Sequence, residues 1–212
     1  MSDAPRILVT GGAGFIGSHL TEHLVAGGAR VVVLDNFRNG RRENLCFPGA
    51  DAVEILEGDV VDPAACLRAM RGVDTVYHLA CLGVRHSLHS PVENHQVNAL
   101  GTLHVLEAAR AVGVRRLVYV STSEIYGRVR QLPITEECTP WPLTVYGSSK
   151  LAGEHYARSY VETYGLPVVC VRPFNNYGPR SHFEGDTCEV IPRFILRALD
   201  GQPPVICGDG SH

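Results

Sequence analysis

A glycine-rich turn near the N-terminus constrains the fold of this chain more than any other feature. It follows a short apolar run, Arg6–Thr10, and opens a segment of helical length, Gly14–Ala26. Glycine allows backbone angles that a Cβ penalises, and bare amides at a helix N-terminus favour a bound anion. A strand, a glycine turn and a helix in this order are the context of a dinucleotide-binding fingerprint. The sequence therefore predicts a dinucleotide site formed by Gly11, Gly14, Phe15, Ile16 and Gly17.

Short apolar runs alternate with segments of helical length along the rest of the chain. Further strands are predicted at Arg30–Leu34, Val53–Leu56, Thr75–Leu79, Arg116–Ser121 and Pro167–Arg172. Further helices are predicted at Pro63–Arg71, Val92–Val112 and Tyr146–Tyr164. Several of the runs are nearly continuous Val, Ile and Leu, as in strands that are covered on both faces. The alternation predicts an α/β fold, a Rossmann-type doubly wound parallel sheet.

Charge and composition exclude several classes of protein. The 212 residues carry 19 Lys and Arg against 22 Asp and Glu, a net charge of −3, so we expect no nucleic-acid partner. No apolar stretch reaches the ~18 residues that span a bilayer, so no membrane association is expected. The seven cysteines are odd in number and lack a C-x-x-C motif, which indicates reduced thiols in a cytoplasmic protein. The histidine pairs, His19 with His23 and His86 with His89, lack further ligands, so we expect no metal.

An acidic residue at the end of the second predicted strand indicates which dinucleotide is bound. Asp35 lies 18 residues after Gly17, where an acid hydrogen-bonds the adenosine ribose in dinucleotide-binding folds. A carboxylate there repels a 2′-phosphate, so the sequence favours NAD over NADP. The basic residues that follow offer a phosphate an alternative site: Arg38, Arg41 and Arg42. Three further residues are expected at the adenosine end of the cofactor: Asn36, Asp59 and Val60.

A tyrosine and a lysine four residues apart form the second chemical signal. Tyr146 and Lys150 share one face of the predicted helix Tyr146–Tyr164. A free tyrosine has a pKa of about 10, so a base at neutral pH needs a decrease of about 3 units, roughly 4 kcal/mol. A lysine ammonium nearby supplies part of that decrease. The strand end Ser121-Thr122-Ser123 lies at the carboxyl edge of the predicted sheet, where open α/β sheets bind ligands.

Taken together, these motifs resemble the extended short-chain dehydrogenases/reductases, and among them the nucleotide-sugar epimerases and dehydratases. The matching residues are the glycine turn, Asp35, Gly58-Asp59, His78-Leu79-Ala80, Asn98, Ser121-Thr122-Ser123, Tyr146-x-x-x-Lys150 and the segment from Arg172 to Pro179. They follow the family's order and spacing along essentially the whole chain. The resemblance implies an NAD-dependent enzyme for a nucleotide sugar, UDP-glucose 4-epimerase-like, and a homodimer.

The resemblance also assigns roles to individual residues. Tyr146 matches the base that takes the proton of the sugar 4-hydroxyl, Lys150 the residue that holds the nicotinamide ribose, and Thr122 the hydroxyl that relays the proton. Glu124 matches either a base at C5 of the sugar or a hydrogen-bond anchor. Residues matched to the cofactor are Leu79, Ala80 and Asn98. Residues matched to the substrate are Arg85, Ser123 and Asn175.

The residue after Thr122 bears on the reaction that follows oxidation at C4. The resembled 4,6-dehydratases usually carry an Asp where Ser123 stands, and serine is a poor general acid. The triplet Thr122-Ser123-Glu124 also resembles UDP-glucuronate decarboxylases, some UDP-glucuronate 4-epimerases and GDP-mannose 4,6-dehydratases. The segment Cys81–Pro91 is more similar to the 4-epimerases than to the decarboxylases. We therefore favour a UDP-hexose or UDP-hexuronate 4-epimerase acting through a 4-keto intermediate. A decarboxylase and a 4,6-dehydratase are the alternatives.

Members of the resembled family are usually longer than this chain. We expect residues 1–174 to form the NAD-binding domain with the Tyr/Lys helix, and residues 175–212 to form a short part of a substrate-binding domain. The elements expected in that part are a helix at Val190–Asp200 and a strand near Val205–Cys207. Apolar surface is expected to stay exposed beside them. A catalytically incomplete NAD-binding fragment or interaction module is therefore a hypothesis of another class.

Overall fold

A single parallel sheet of six strands forms the centre of the computed structural model, which describes residues 4–129, 131–185 and 188–206. The strands are β1 (Arg6–Thr10), β2 (Arg30–Asp35), β3 (Val53–Glu57), β4 (Thr75–His78), β5 (Arg116–Val120) and β6 (Val168–Val171). They lie in the order β3-β2-β1-β4-β5-β6. The order reverses between β1 and β4, which places the ligand crevice at the carboxyl ends of these strands. The predicted doubly wound sheet is confirmed, and each strand end lies within one residue of its expected place.

One row of residues crosses the sheet just before the strands end. Thr10 on β1 is in register with Leu34 on β2 and with His78 on β4. His78 is in register with Tyr119 on β5, which in turn pairs with Cys170 on β6. Partners in register on parallel strands point to the same face of the sheet. Thr10, His78 and Tyr119 are all buried and therefore bring their polar groups into one layer below the crevice.

Seven α-helices surround the sheet in the described part of the chain. They are α1 (Phe15–Ala26), α2 (Pro63–Ala69), α3 (Val84–His89), α4 (Pro91–His95), α5 (Gly101–Val112), α6 (Val145–Tyr164) and α7 (Val190–Leu199). Helix α4 continues through a π-helical turn, Gln96–Leu100, into α5. The predicted helix Val92–Val112 therefore forms with a wider turn inside it, a feature that is frequent at functional sites.

Two short elements differ from the sequence-based expectation. The sequence does not predict α3, because six residues are too few to show a helical repeat of apolar positions. The strand expected near Val205–Cys207 is wrong at Val205 and Ile206, which pair with no strand in the described ranges. A strand forms only where a neighbour satisfies its backbone hydrogen bonds. Cys207 lies outside the described residues.

Two apolar clusters, one on each face of the sheet, hold the helices in place. On one face α2, α5 and α6 cover a cluster that includes Leu8, Val32 and Leu117. On the other face α1 covers a smaller cluster around Val9, Val31 and Val33. Neighbouring residues of one strand thus point into opposite clusters, which explains why the strands are apolar at nearly every position.

Helix α7 leaves its apolar residues uncovered. None of its residues is buried in the described structure. Phe194 is half-buried, and five other large apolar side chains are between 42% and 79% exposed: Val190, Ile191, Ile195, Leu196 and Leu199. The expected apolar surface is therefore present on this helix. A bilayer span would need a longer run of apolar helix than any helix in the described ranges provides.

Candidate active site

The glycine turn after β1 brings backbone segments too close for a side chain. A Cβ at Gly17 would lie 2.1 Å from the carbonyl oxygen of Gly11, and one at Gly11 would lie 2.8 Å from the amide nitrogen of Ala80. Gly11 also has a positive φ of 70°. Gly14 supplies no side-chain cap to the first turn of α1, and that turn carries no acid. The positive end of α1 is therefore free to receive the diphosphate of a dinucleotide, and the bare turn gives it room.

The carboxylate of Asp35 is fixed beside the glycine turn. Its Oδ2 accepts a hydrogen bond from the Ala13 amide at 2.9 Å, and its Oδ1 accepts one from the Phe37 amide at 2.8 Å. Burial raises the pKa of Asp35, and the two amides partly offset that rise. Asn36 donates to Asp59 Oδ2 at 2.7 Å, so these two predicted residues lie together at the same end of the crevice. Val60, which follows Asp59 in the sequence, is buried.

The basic residues after Asp35 are engaged by carboxylates. Arg38 pairs with Glu93, while Arg41 pairs with Glu184 at 2.5 Å and Arg42 pairs with Glu57 at 2.6 Å. A 2′-phosphate would have to compete with these acids and with Asp35. The arrangement supports NAD rather than NADP.

The segment after β6 lies against α1 and the loop after β2. The carbonyl oxygen of Pro179 accepts from His19 Nε2 at 2.9 Å. Arg180 pairs with Glu22 on α1 at 2.6 Å, next to the pair of Arg41 with Glu184. Both ion pairs are partly exposed. This segment therefore connects the C-terminal part of the chain to the helix that begins the dinucleotide site.

Thr122 and Tyr146 meet at the carboxyl edge of the sheet. Thr122 follows β5 and caps a 3₁₀ turn, Ser123–Ile125, by accepting from the Glu124 amide at 3.2 Å. Thr144 caps α6 by accepting from the Gly147 amide at 3.0 Å, which places Tyr146 in the first turn. The Thr122 side chain lies close enough to the Tyr146 hydroxyl to act on it as a hydrogen-bonding group. The two predicted catalytic hydroxyls are therefore neighbours at this edge of the sheet.

Burial raises the pKa of Tyr146 to about 12, and Cys81 adds to the rise. The Lys150 ammonium lowers the pKa, as the sequence predicts, and the Thr122 side chain also lowers it, but burial outweighs both effects. A positive charge bound beside Tyr146 would lower its pKa further.

Lys150 is almost fully buried, with 2% exposure, one helical turn after Tyr146. Its ammonium nitrogen lies 4.6 Å from the centre of the Tyr119 ring. The Tyr119 hydroxyl donates to the Lys150 carbonyl oxygen at 3.0 Å. Within residues 4–129, 131–185 and 188–206, no Asp or Glu forms an ion pair with Lys150, so an aromatic face takes the place of a counter-ion.

A chain of uncharged hydrogen bonds runs from β1 to the π turn. Thr10 Oγ1 accepts from the amides of Leu79 and Ala80 at 3.2 Å, so its own proton goes to His78 Nδ1 at 2.7 Å. His78 Nε2 then donates to Thr102 Oγ1 at 3.1 Å, and Thr102 donates to the Asn98 carbonyl oxygen at 2.6 Å. Burial, helped by Lys150, lowers the pKa of His78 to about 3. The imidazole is therefore neutral and fixed in one tautomer.

Asn98 holds the loop that follows β4. Its Oδ1 accepts from the Leu82 amide at 2.8 Å, and its Nδ2 donates to the Leu82 carbonyl oxygen at 2.9 Å. Asn94 and Ser149 are further partners of the same carboxamide. Since its oxygen and nitrogen are both occupied, Asn98 supports the site by shaping the loop. A direct contact with the cofactor stays a prediction.

The predicted substrate residues surround the crevice at different depths. Arg85 lies on α3 and donates to the Cys188 carbonyl oxygen at 2.5 Å. Asn175 is exposed in the segment after β6, and Ser123 is half-buried. The Glu124 side chain is exposed, and in the described part of the protein its carboxylate has no ion-pair or hydrogen-bond partner. These residues lie on separate elements: Arg85 on α3, Ser123 and Glu124 in the turn after β5, and Asn175 after β6.

Sequence reasoning missed residues that position the catalytic group. Tyr119 lies in an apolar strand, Thr10 ends another, and Asn94 and Ser149 sit in helices without a distinctive pattern. Thr10 and His78 do give a signal in the sequence, because each is a polar residue at the end of an otherwise apolar run. Ser121 Oγ is a further case, because it is buried and unpartnered among the described residues.

Comparison with known proteins agrees with this geometry. Residues 7–212 match the NAD dependent epimerase/dehydratase family. UDP-glucuronic acid decarboxylase 1 of Xenopus tropicalis is 37% identical over 219 residues, which cover 99% of this chain and 50% of that protein.

Solved structures give the same result. UDP-N-acetylglucosamine 4-epimerase from Methanobrevibacter ruminantium M1 superposes with a TM-score of 0.92 at 35% identity, over 98% of this chain and 66% of that one. A dTDP-glucose 4,6-dehydratase from Streptomyces venezuelae with NAD bound gives a TM-score of 0.89 at 38% identity, over 98% and 66%. The chain spans about half the length of the decarboxylase and about two thirds of these two structures. Since the family match extends over nearly the whole chain, this chain belongs to the NAD-dependent epimerase/dehydratase family, whose cofactor is NAD.

Proposed function

We propose that this chain carries the catalytic centre of an NAD-dependent nucleotide-sugar 4-epimerase that acts on a UDP-hexose or a UDP-hexuronate. The observation that carries the proposal is the meeting of Thr122, Tyr146 and Lys150 at the carboxyl edge of the sheet. A glycine turn that leaves room for a dinucleotide diphosphate follows β1 at the same edge of the sheet. A family resemblance alone would not require that a base, its relay and its cation be assembled in one place.

The chemistry begins at the sugar 4-hydroxyl. NAD, when bound, accepts a hydride from C4 of the sugar and returns it later in the cycle. Tyr146 is the base that receives the hydroxyl proton, and Thr122, which hydrogen-bonds the same hydroxyl, relays the proton to it. Lys150 favours the phenolate of Tyr146 through its positive charge. For epimerisation the 4-keto sugar then turns over so that C4 presents its opposite face for reduction, and Tyr146 gives the proton back to the 4-oxygen.

The absence of an acid at position 123 supports epimerisation over 4,6-elimination. Ser123 stands where a dehydratase needs a group that protonates the leaving hydroxyl, and serine is a poor acid. Epimerisation needs no such group, because the same base and hydride serve both half-reactions.

Decarboxylation of a UDP-hexuronate is the second candidate. Two observations favour it: the similarity to a UDP-glucuronic acid decarboxylase, and the exposed carboxylate of Glu124, which has no partner in the described ranges and is available to a substrate. Both reactions share the 4-keto intermediate, so the residues above serve either.

An NAD-binding module without turnover is the alternative of another class. The chain spans half to two thirds of the length of its relatives. Under this alternative NAD still binds and the substitution Tyr146→Phe has no functional effect.

We further propose a cytoplasmic homodimer. Exposed apolar side chains on the outer faces of α5 and α6 support it: Leu100 at the preceding π turn, Val112, Val161 and Tyr164. The chain mass of 23.0 kDa gives a direct test by light scattering of the purified protein, since a monomeric mass would contradict the proposal.

One product assay tests the reaction. The purified chain is incubated with NAD and, separately, UDP-glucose, UDP-galactose, UDP-glucuronate and dTDP-glucose, and products are read by liquid chromatography with mass spectrometry. A product of unchanged mass and new retention supports a 4-epimerase, loss of carbon dioxide a decarboxylase, and loss of water a dehydratase. No product from any sugar, with NAD binding intact, contradicts the enzyme and supports the binding module.

A further inference from the structure

We propose that Tyr119 is a positioning residue that holds the Lys150 ammonium against its ring face and so fixes the cation beside the catalytic tyrosine. The proposal rests on the function proposed above for Tyr146 and Lys150. Tyr119 touches neither substrate nor cofactor in this scheme. Its proposed positioning role is exerted through Lys150.

The contact is made at two points of Tyr119. Its ring faces the ammonium nitrogen at 4.6 Å from the ring centre, and its hydroxyl donates to the Lys150 backbone carbonyl at 3.0 Å. The hydroxyl fixes the ring relative to α6, and the ring fixes the end of the side chain. Tyr119 has no exposed surface, so water does not weaken the attraction between ring and cation.

The sequence of α6 leaves room for this ring. Gly153 lies three residues after Lys150 on the same face, and a Cβ there would lie 2.2 Å from the Tyr119 hydroxyl oxygen and 2.6 Å from its Cζ. Gly153 lies inside α6 and has a helical backbone conformation, which any residue can adopt. The close approach of the Tyr119 ring therefore explains why this position is glycine.

The carboxylate that usually pairs with a helical lysine is taken by another residue. Glu154 is four residues after Lys150, the spacing of a helical ion pair. Its oxygens instead accept from Arg172, from Nε at 3.0 Å and from Nη2 at 2.8 Å. Lys150 therefore contacts the face of the Tyr119 ring instead of this carboxylate. A carboxylate would neutralise its charge, whereas a ring stabilises the charge and keeps the N–H donors available.

The charged and titratable groups near this contact are few. Tyr146 is influenced by Cys81, Lys150 and Tyr119, with Thr122 as its hydrogen-bond partner. The charge of Lys150 also acts on His78 and on Cys170. Since His78 stays neutral, Lys150 is the dominant positive charge acting on Tyr146.

The sequence makes a direct measurement simple, because Lys150 is the only lysine of the chain. Labelling with lysine carrying ¹³C at Cε gives one side-chain signal in an NMR spectrum of the full chain. That signal reports the ring current of Tyr119 and, followed against pH, the protonation of Lys150. Neither readout requires a nucleotide sugar or turnover.

The key comparison keeps the shape of the aromatic ring nearly constant and changes the charge distribution on its face. Tyr119→Phe is the reference, and Tyr119→pentafluorophenylalanine has nearly the same shape but a reversed charge distribution on the ring face. The Lys150 titration midpoint is expected to fall by about one pH unit in the fluorinated variant relative to Tyr119→Phe. Equal midpoints in these two variants would overturn the proposal.

Two further variants guard against a purely structural explanation. Tyr119→Leu is expected to remove the upfield ring-current displacement of the Lys150 ε-protons, while Tyr119→Phe retains it; retention in Tyr119→Leu contradicts the contact. Gly153→Ala is expected to displace the Lys150 signal as well, because it forces the ring away. If the unmodified chain makes no product from any sugar, the proposed function fails while the Lys150 measurements still decide the role of Tyr119.

Discussion

The hydroxyl of Thr10 and Nδ1 of His78 are 2.7 Å apart and join the carboxyl ends of β1 and β4. This bond ties the strand that leads into the glycine turn to the strand that leads into the Leu82 loop. Because Thr10 donates and His78 accepts, a proton on Nδ1 would break the bond. The alignment of the two loops therefore depends on a neutral imidazole.

The first prediction concerns the pH dependence of stability. The pKa of His78 falls from its ordinary value of 6.5 to about 3 on folding, so the unfolded chain binds the proton more readily. The contribution of His78 is complete above pH 6.5 and is lost as the pH falls towards 3, by up to ~1.4 kcal/mol per pH unit. Urea unfolding across this range should show a shallower pH dependence for His78→Gln. His23→Gln, on the exposed side of α1, should keep the original slope, and an unchanged slope in His78→Gln would contradict the prediction.

The second prediction separates catalysis from cofactor binding. Tyr146→Phe removes the proton-transferring hydroxyl and keeps the ring, so kcat should fall by ~10²-fold or more while NAD affinity changes little. The measurement is a steady-state assay on the sugar identified by the product assay, with NAD binding followed by calorimetry. Tyr164→Phe, an exposed tyrosine at the end of the same helix, is the matched control. Turnover within tenfold of the unmodified chain would rule out Tyr146 as the base.

The third prediction compares two glycines. Gly17→Ala places a methyl group 2.1 Å from the Gly11 carbonyl oxygen, so the turn must open, with a loss of about 1–3 kcal/mol in unfolding free energy and weaker NAD binding. Gly83→Ala meets no atom within 4 Å and should be tolerated. Thermal unfolding and NAD titration of both variants make the test. Equal behaviour of the two variants would show that the turn is not tightly packed.

The fourth prediction concerns the choice between NAD and NADP. Both oxygens of Asp35 accept backbone amides, so the amide group of an Asn at this position must face an N–H donor on one side. Asp35→Asn should weaken NAD binding about tenfold and reduce the preference for NAD over NADP. Calorimetry with both dinucleotides measures this, with Asp51→Asn, an exposed acid, as control. An unchanged preference would mean that Asp35 does not face the ribose.

The sequence predicts the sheet well because each strand is a local apolar run. The pairing of the strands then follows from the doubly wound arrangement of alternating strands and helices. The glycine turn and the Tyr146–Lys150 pair are also local, and both lie where they are expected. The contacts that position the site join distant residues instead. Asn98 reaches Leu82 across 16 positions and Tyr119 reaches Lys150 across 31. Such contacts depend on how the helices pack on the sheet, and no local sequence pattern predicts that packing.

The ion pairs of the basic residues at the surface also could not be predicted from the local sequence. Arg38, Arg41 and Arg42 form a cluster in the sequence, which leaves a phosphate site open as an interpretation. The structure separates them by giving each a different acid from a distant segment. Their partners Glu93, Glu184 and Glu57 could not be chosen from spacing alone.

The two kinds of contact around the crevice should respond differently to ionic strength. Salt screens the exposed pairs that hold the segment after β6, Arg180 with Glu22 and Arg41 with Glu184. The buried bond between Thr10 and His78 carries no charge and is not screened. Added salt should therefore speed the exchange of NAD in a stopped-flow release experiment while the catalytic hydroxyls stay aligned. Exposed ion pairs thus anchor the segment after β6, whereas buried and uncharged hydrogen bonds align the strands beneath the candidate site.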